Sequence, residues 1–157
     1  MVFGLDLSGR MAVVTGAGGI LCGMFARTLA QAGASVALLD INLETAERTA
    51  REIRAQGGNA AAYEVDVMDK EMLESVHARV LARLGPCDIL INGAGGNQAR
   101  ANTSKEYFEM GDIEADVATF FDMEYKGVQG VLDLNFLGGF LTCQVFAKDM
   151  VGREGCN

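Results

Sequence analysis

The sequence has few of the residues on which metal-binding, nucleic-acid-binding and membrane proteins depend. His77 is its only histidine, and its four cysteines are scattered without a CxxC pair, so neither a zinc site nor a structural disulfide is expected. Thirteen basic residues against 21 acidic ones give a net charge of −8 without a basic cluster, which argues against a nucleic-acid or anionic-membrane surface. The sequence has no uncharged apolar run of membrane-spanning length and no secretion-signal pattern at its start. We therefore expect a cytoplasmic protein.

The sequence does contain enough apolar residues for one globular domain, since 50% of its 157 residues are hydrophobic and 22% are charged. Short apolar runs alternate with amphipathic stretches along the chain. This alternation predicts an α/β fold, a doubly wound parallel sheet of Rossmann type in three layers, with a ligand at the carboxyl ends of the strands. The first predicted strand ends at Val14, the others cover 35–40, 60–65 and 88–92, and the predicted helices cover 24–32, 42–56, 69–84 and 124–150.

A glycine-rich turn lies in the segment 11–23, MAVVTGAGGILCG, between the first strand and the first helix. Residues without a Cβ, here Gly16, Gly18 and Gly19, allow the main chain to fold sharply and lie close against a ligand. The helix that follows offers unpaired N–H groups and a positive dipole end, which favours a bound phosphate. The alternative is an ordinary strand-to-helix connection without a ligand.

Acidic residues follow the second and third predicted strands. A carboxylate at Asp40 can accept hydrogen bonds from adenosine ribose hydroxyls and would repel a 2′-phosphate, so it favours NAD over NADP. Asp66 can bind the adenine amino group. As alternatives, Asp40 begins a turn or caps the next helix, and Asp66 forms a turn.

The fourth predicted strand runs directly into small residues, Asn92-Gly93-Ala94-Gly95, which let the main chain approach a cofactor. Three strand-end features therefore meet at one edge of the predicted sheet: the glycine turn, Asp40 and the segment 92–95. Together they favour a dinucleotide site.

The same residues resemble the markers of the short-chain dehydrogenase/reductase family, in order and along nearly the whole chain. The markers are Thr15-Gly16 with its glycine cluster, Asp40, Asp66-Val67, Asn92 to Gly95, and Asn135 in DLNFLG. Within this family the segments TGAGGILCG and INGAGGN are most similar to the D-mannonate oxidoreductase or fructuronate reductase branch. Two places differ from the family pattern: Ile20 and Cys22 replace the later glycines of TGxxxGxG, and Gly93 replaces an asparagine. The turn is therefore expected to differ locally.

The resemblance implies a role for each marker. The pyrophosphate is held by the turn, the adenosine ribose by Asp40 at the end of the second strand, the adenine by Asp66 and Val67, and the inner side of the nucleotide by the segment after the fourth strand. The implied cofactor-binding residues are Gly16, Gly18, Gly19, Leu21, Asp40, Ile41, Asp66, Val67, Asn92, Gly93, Ala94 and Gly95. Asn135 is the one implied catalytic residue, holding a water in a proton relay; alternatively its amide bonds a neighbouring backbone.

The implied reaction is hydride transfer between a nicotinamide and a carbonyl or alcohol carbon of a sugar acid or polyol. Its serine and its tyrosine–lysine pair cannot be placed, because Tyr63, Tyr107 and Tyr125 all lack a lysine four residues later. The chain is therefore expected to be the amino-terminal part of a longer enzyme, incomplete after the fifth helix. The alternatives are a non-catalytic dinucleotide-binding or assembly module and, disfavoured by the segment 92–95, a Rossmann-fold methyltransferase.

Two later segments bear on partners. The polar stretch 98–122, with aromatics interspersed, predicts a binding loop or lid, or alternatively a surface insertion packed by its own aromatics. A helix from about Glu124 to Met150, bent at Gly138-Gly139, carries a broad apolar face that predicts a subunit contact. The resemblance likewise implies a homo-oligomer through this helix. His77 is expected to be a packing or surface residue.

Overall fold

A computed structural model describes residues 4–153 and shows a parallel sheet with helices on both faces. The four strands lie in the order β3-β2-β1-β4, and all three neighbouring pairs are parallel. The predicted α/β, doubly wound fold is confirmed. The strands are β1 (Met11–Thr15), β2 (Ser35–Asp40), β3 (Ala60–Glu64) and β4 (Ile89–Ile91), and the helices are α1 (Ile20–Gln31), α2 (Leu43–Ala55), α3 (Lys70–Leu84), α4 (Tyr125–Leu132) and α5 (Gly138–Phe146).

The core consists of two apolar layers, one on each side of the sheet, because successive strand residues point to opposite faces. Val13 packs with α3 and with Phe146 of α5, whereas its neighbour Val14 packs with Ala26 of α1 and with α2. All five residues of β1 are buried. The central strand is thus fixed on both faces, and the turn that follows it has a rigid base.

Side-chain caps start two of the helices. Asn42 accepts a hydrogen bond from the N–H of Thr45 at the start of α2, and Asp69 accepts one from Met72 at the start of α3. The first helix differs from its prediction: it begins at Ile20 and not at residue 24, with Gly19 as its N-cap. Gly23 is therefore a buried helical residue and not part of the turn.

The connection 92–124 contains three short 3₁₀ turns and packs its own aromatic side chains. Phe121 makes edge-to-face contacts with Phe108 and Phe120, at ring-centroid distances of 6.0 and 5.8 Å. The geometry therefore matches the alternative of a self-packed surface insertion.

The last helical stretch is irregular directly before its glycine pair, and the bend predicted at Gly138-Gly139 stays a prediction. A π-helical segment, Asp133–Leu137, separates α4 from α5, and a 3₁₀ turn, Ala147–Met150, follows α5. Gly138 serves close packing, because a Cβ placed there would lie 2.8 Å from Cγ2 of Val67.

The stretch Tyr125–Met150 is long and apolar enough, by length and composition alone, to cross a bilayer, with 22% of its most apolar window buried. Its carboxyl-terminal end packs against the domain: Val145 and Phe146 belong to the core. Asp149, just beyond α5, lies 3.0 Å from Nε2 of His77 and accepts the N–H of Cys87. His77 is half-buried against the Phe146 ring and is, as predicted, a packing residue.

Candidate cofactor site

A cleft of about 530 Å³ opens at the carboxyl ends of the strands. The turn after β1 forms its centre, the residues after β2 and β3 form one half, and the loop after β4 forms the other. Of the predicted cofactor residues, all except Gly18 and Asn92 line it. The lining residues are Gly16, Gly19, Ile20, Leu21, Cys22, Leu39, Asp40, Ile41, Val65, Asp66, Val67, Gly93, Ala94, Gly95 and Leu134.

The turn is built so that only glycine fits at its first position. Gly16 has φ +65°, and a Cβ placed on it would lie 2.7 Å from the carbonyl oxygen of Gly93. The N–H of Gly19 donates to the carbonyl of Gly16 at 3.0 Å, which closes the turn directly before α1. The first N–H groups of α1 then face the cleft without helical partners. Such a cradle fits a diphosphate, because the backbone can approach it and the helix dipole favours its charge.

The carboxylate of Asp40 lies at the edge of the cleft and is held by two backbone donors. Its Oδ2 accepts the N–H of Gly18 at 2.8 Å and its Oδ1 accepts the N–H of Asn42 at 2.9 Å. The carboxylate thus shapes the turn before α2, and each oxygen keeps a second lone pair for a ligand hydroxyl. Gly18 lies behind it, where a Cβ would overlap Oγ1 of Thr45.

Sequence reasoning did not assign Thr15 to the site, although this residue ties two strand ends together. Its buried Oγ1 accepts the N–H groups of Gly93 and Ala94, each at 3.0 Å. A hydroxyl placed directly before the glycine turn was the available signal. Through it, the turn after β1 and the loop after β4 keep a fixed separation.

Cys22 is a second residue that sequence reasoning left out of the site. Its side chain is buried in the first turn of α1 and lies beneath the loop after β4, where a Cβ placed on Gly93 would overlap Sγ. Burial, and after it the negative charge of Asp40, raises the pKa of the Cys22 thiol above its ordinary value of 9.0. The thiol therefore stays protonated at neutral pH.

Asp66 and Val67 follow β3 as predicted. Oδ1 of Asp66 accepts the N–H of Met68 at 2.9 Å, which is the turn geometry given as the alternative, and the residue also lines the cleft. Val67 is buried between the cleft and Gly138 of α5.

The two asparagines are engaged outside the cleft. Oδ1 of Asn135 accepts the N–H of Gly96 at 2.8 Å, and its Nδ2 donates to the carbonyl of Gly96 at 3.0 Å. This reciprocal pair is the bonding of a neighbouring backbone that was given as the alternative, and a water-holding role for Asn135 stays a prediction. Nδ2 of Asn92 lies 3.1 Å from Sγ of Cys143.

A glycine cradle at the centre of a parallel sheet, with an acid after the second strand, defines a dinucleotide-binding Rossmann domain. Comparison with known proteins then gives the particular family: the model described as short chain dehydrogenase matches residues 10–157. The chain belongs to the short-chain dehydrogenase family. This match sets the methyltransferase alternative aside.

Three relatives illustrate the range of this similarity. The chain is 44% identical over 152 residues to an uncharacterized oxidoreductase from Haemophilus influenzae, covering 97% of this chain and 53% of the relative. A candidate D-mannonate oxidoreductase from Haemophilus, solved with bound NAD, superposes with a TM-score of 0.91 at 44% identity, covering 98% of this chain and 54% of that one. A hydroxysteroid dehydrogenase from Escherichia coli gives a TM-score of 0.71 at 30% identity, covering 92% and 54%. The chain spans about half the length of the relatives it matches.

Proposed function

We propose that this chain binds NAD in the cleft and supplies the cofactor half of an oxidoreductase that acts on a sugar acid or polyol. The observation that carries the proposal is the cradle at Gly16, where backbone from two strand ends meets and leaves no room for a side chain. When bound, the cofactor supplies a hydride acceptor or donor. The backbone of the turn and the start of α1 would hold its diphosphate, and Asp40 its adenosine ribose.

The preference for NAD over NADP rests on Asp40. Two backbone N–H groups fix this carboxylate at the edge of the cleft, so it cannot swing away from a 2′-phosphate. The chain carries a net charge of −8, which adds to the repulsion of a further phosphate. The NAD bound to the Haemophilus relative supports the same preference.

Calorimetric titration of the 157-residue chain with NADH and NADPH tests this preference. We expect saturable NADH binding that is at least about tenfold tighter than NADPH binding. Asp40→Asn removes the charge with little change in size, although it also loses one of the two backbone hydrogen bonds, and we expect it to reduce that ratio to about threefold or less. Glu64→Gln is the matched control, because Glu64 pairs with Asp40 in the sheet register but is exposed and does not line the cleft. An unchanged ratio in Asp40→Asn, or a folded chain that binds neither dinucleotide, would contradict the proposal.

The substrate class is supported by the relative described as a candidate D-mannonate oxidoreductase. The competing function is a binding module without catalysis, favoured by the absence of any tyrosine with a lysine four residues later in this sequence. Absorbance at 340 nm with NAD and D-mannonate distinguishes the two when it is measured on a chain extended to the length of its relatives. Turnover supports the enzyme, and NADH binding without turnover assigns this chain the module role.

Two further features belong to the proposal. We infer a homo-oligomer through the stretch 125–150, supported by its exposed large apolar side chains, among them Leu132 and Phe136 at 59% and 67% exposure. We also propose a cytoplasmic location, supported by the free thiols of Cys22, Cys87 and Cys143.

A further inference from the structure

Cys22 of α1 and Gly93 of the loop after β4 fill one small space between them. A Cβ on Gly93 would overlap Sγ of Cys22, whereas it would lie 3.6 Å from Cβ of Cys22, an ordinary contact distance. The sulfur is therefore the main obstacle to a side chain at position 93, and the carbonyl oxygen of Thr15, 3.1 Å from the same Cβ, is a lesser one. Only 7% of Cys22 is exposed, so its side chain is closely packed by its neighbours.

The loop next to this sulfur is also held by hydrogen bonds to the end of β1. Oγ1 of Thr15 accepts the N–H groups of both Gly93 and Ala94, so the loop cannot rise without breaking them. The Cys22 sulfur and the Thr15 hydroxyl thus fix the position of the loop relative to the start of α1 and the end of β1. Because Gly93, Ala94 and Gly95 line the cleft, the position of the loop also sets the width of the half of the cleft next to β4.

We infer that Cys22 and Gly93 form an interdependent positioning pair that sets the loop against the nicotinamide half of the cofactor. This inference rests on the proposed dinucleotide function. The order of the strands assigns the halves: Asp40, Ile41 and Asp66 lie toward β2 and β3, and the loop lies on the opposite side of the central turn. A diphosphate at the turn therefore leaves the adenosine over β2 and β3 and the nicotinamide ribose beside the loop.

A double-mutant cycle tests the pair, using Gly93→Ala, Cys22→Ala and the double variant. Gly93→Ala introduces a methyl group into filled space, so we expect its Tm to fall by about 4 °C or more. In the Cys22→Ala background the sulfur is gone, and we expect the same change to lower Tm by less than about 2 °C. Gly96→Ala is the matched control in both backgrounds, because a Cβ on Gly96 meets nothing within 4 Å.

Binding of NADH and of ADP separates positioning from mere stability. ADP carries the adenosine and diphosphate but neither the nicotinamide nor its ribose. We expect Gly93→Ala to weaken NADH binding about tenfold and ADP binding by less than about twofold, with NADH affinity recovered in the double variant. A chain that lost packing alone would lose both ligands together.

The outcomes separate this inference from the proposed function. If the wild-type chain binds no NADH, the proposed function fails, while the Tm cycle still decides whether the residues are coupled. If NADH binds and the Tm changes of the two variants simply add, the pair is overturned. If the changes are coupled but NADH and ADP affinities fall equally, the positioning role is overturned.

Discussion

At the scale of single residues, the conformation of Gly16 gives the sharpest expectation. An alanine there must adopt φ near +65° and place its Cβ against the carbonyl of Gly93. The strain alone costs about 1–2 kcal/mol, and the backbone overlap adds to it. We expect Gly16→Ala to abolish saturable NADH binding, measured by calorimetry.

Gly57→Ala is the control for Gly16→Ala, since Gly57 also has a positive φ, +85°, but a Cβ there meets nothing within 4 Å. We expect the free energy of unfolding of this control to fall only by the cost of the backbone strain, and its NADH affinity to stay unchanged. Equal loss of binding in both variants would show that general destabilisation, and not closure of the cradle, removes the ligand.

The buried thiol of Cys87 predicts a loss of stability at alkaline pH. Burial, with the nearby carboxylate of Asp149 next in weight, raises the pKa of Cys87 from 9.0 to about 12. Between those values the unfolded chain has released the proton and the folded chain still holds it. Stability therefore falls as pH rises above 9, with a slope of up to about 1.4 kcal/mol per pH unit.

Thermal unfolding between pH 9 and 10 measures this slope. Burial also raises the pKa of Cys22 from 9.0, so that thiol adds a loss within this window, and it raises the pKa of Tyr63 from 10.0, which adds a loss only above it. We expect Cys87→Val to flatten the slope and Cys143→Val, which changes an exposed thiol, to leave it as in the wild type. An equal slope in all three proteins would remove Cys87 as its source.

Residues that line the cleft could be predicted from the sequence where the signal is local, and their roles toward a cofactor stay predictions. Glycines before a helix and an acid after a strand indicated the cleft at Gly16 and Asp40 without tertiary information. The sequence could not show that Cys22 and Gly93, 71 positions apart and both unlike the family pattern, occupy one space. Thr15 was missed for the same reason, because its two donors lie on a distant loop.

At the scale of elements, the glycine pair of α5 offers two neighbouring positions with opposite surroundings. A Cβ on Gly138 would lie 2.8 Å from Cγ2 of Val67, a stiff β-branched side chain, whereas one on Gly139 would come no nearer than 3.9 Å to Asn92. Alanine is the better helix former by about 1 kcal/mol. We expect Gly139→Ala to raise Tm by about 2–4 °C and Gly138→Ala to lower it.

Thermal unfolding followed by circular dichroism compares these two variants directly. A rise in Tm in both would mean that α5 can move away from Val67 at no cost, and the close approach would then not hold the helix on the domain. A fall in both would show that helix propensity is overridden at each position.

Element bounds were predictable where the signal is local. The caps Asn42 and Asp69 start α2 and α3 as their sequences indicate, and β2 covers 35–40 as predicted. The π-helical segment 133–137 has no local signature of this kind. There Asn135 bonds both backbone groups of Gly96, a contact across 39 positions that periodicity cannot show.

At the scale of the whole molecule, the helical stretch 125–150 leaves a surface of exposed apolar side chains on the domain. Phe136 and Phe140, on the stretch 125–150, are 67% and 50% exposed. Large exposed apolar patches mark contact surfaces. Either a second copy of the chain or the surface of a lipid membrane would bury this face.

Light scattering over a range of concentrations, with and without phospholipid vesicles, tests the homo-oligomer. We expect the wild-type chain to form dimers or larger closed assemblies in aqueous solution and the double variant Phe136→Glu/Phe140→Glu to be monomeric, since a buried unpaired carboxylate is strongly unfavourable. Phe120→Glu is the matched control, because Phe120 is an exposed aromatic, at 71%, of the insertion 98–122. A monomeric wild-type chain that partitions into vesicles would assign the face to lipid, and equal dissociation by Phe120→Glu would move the contact to the insertion.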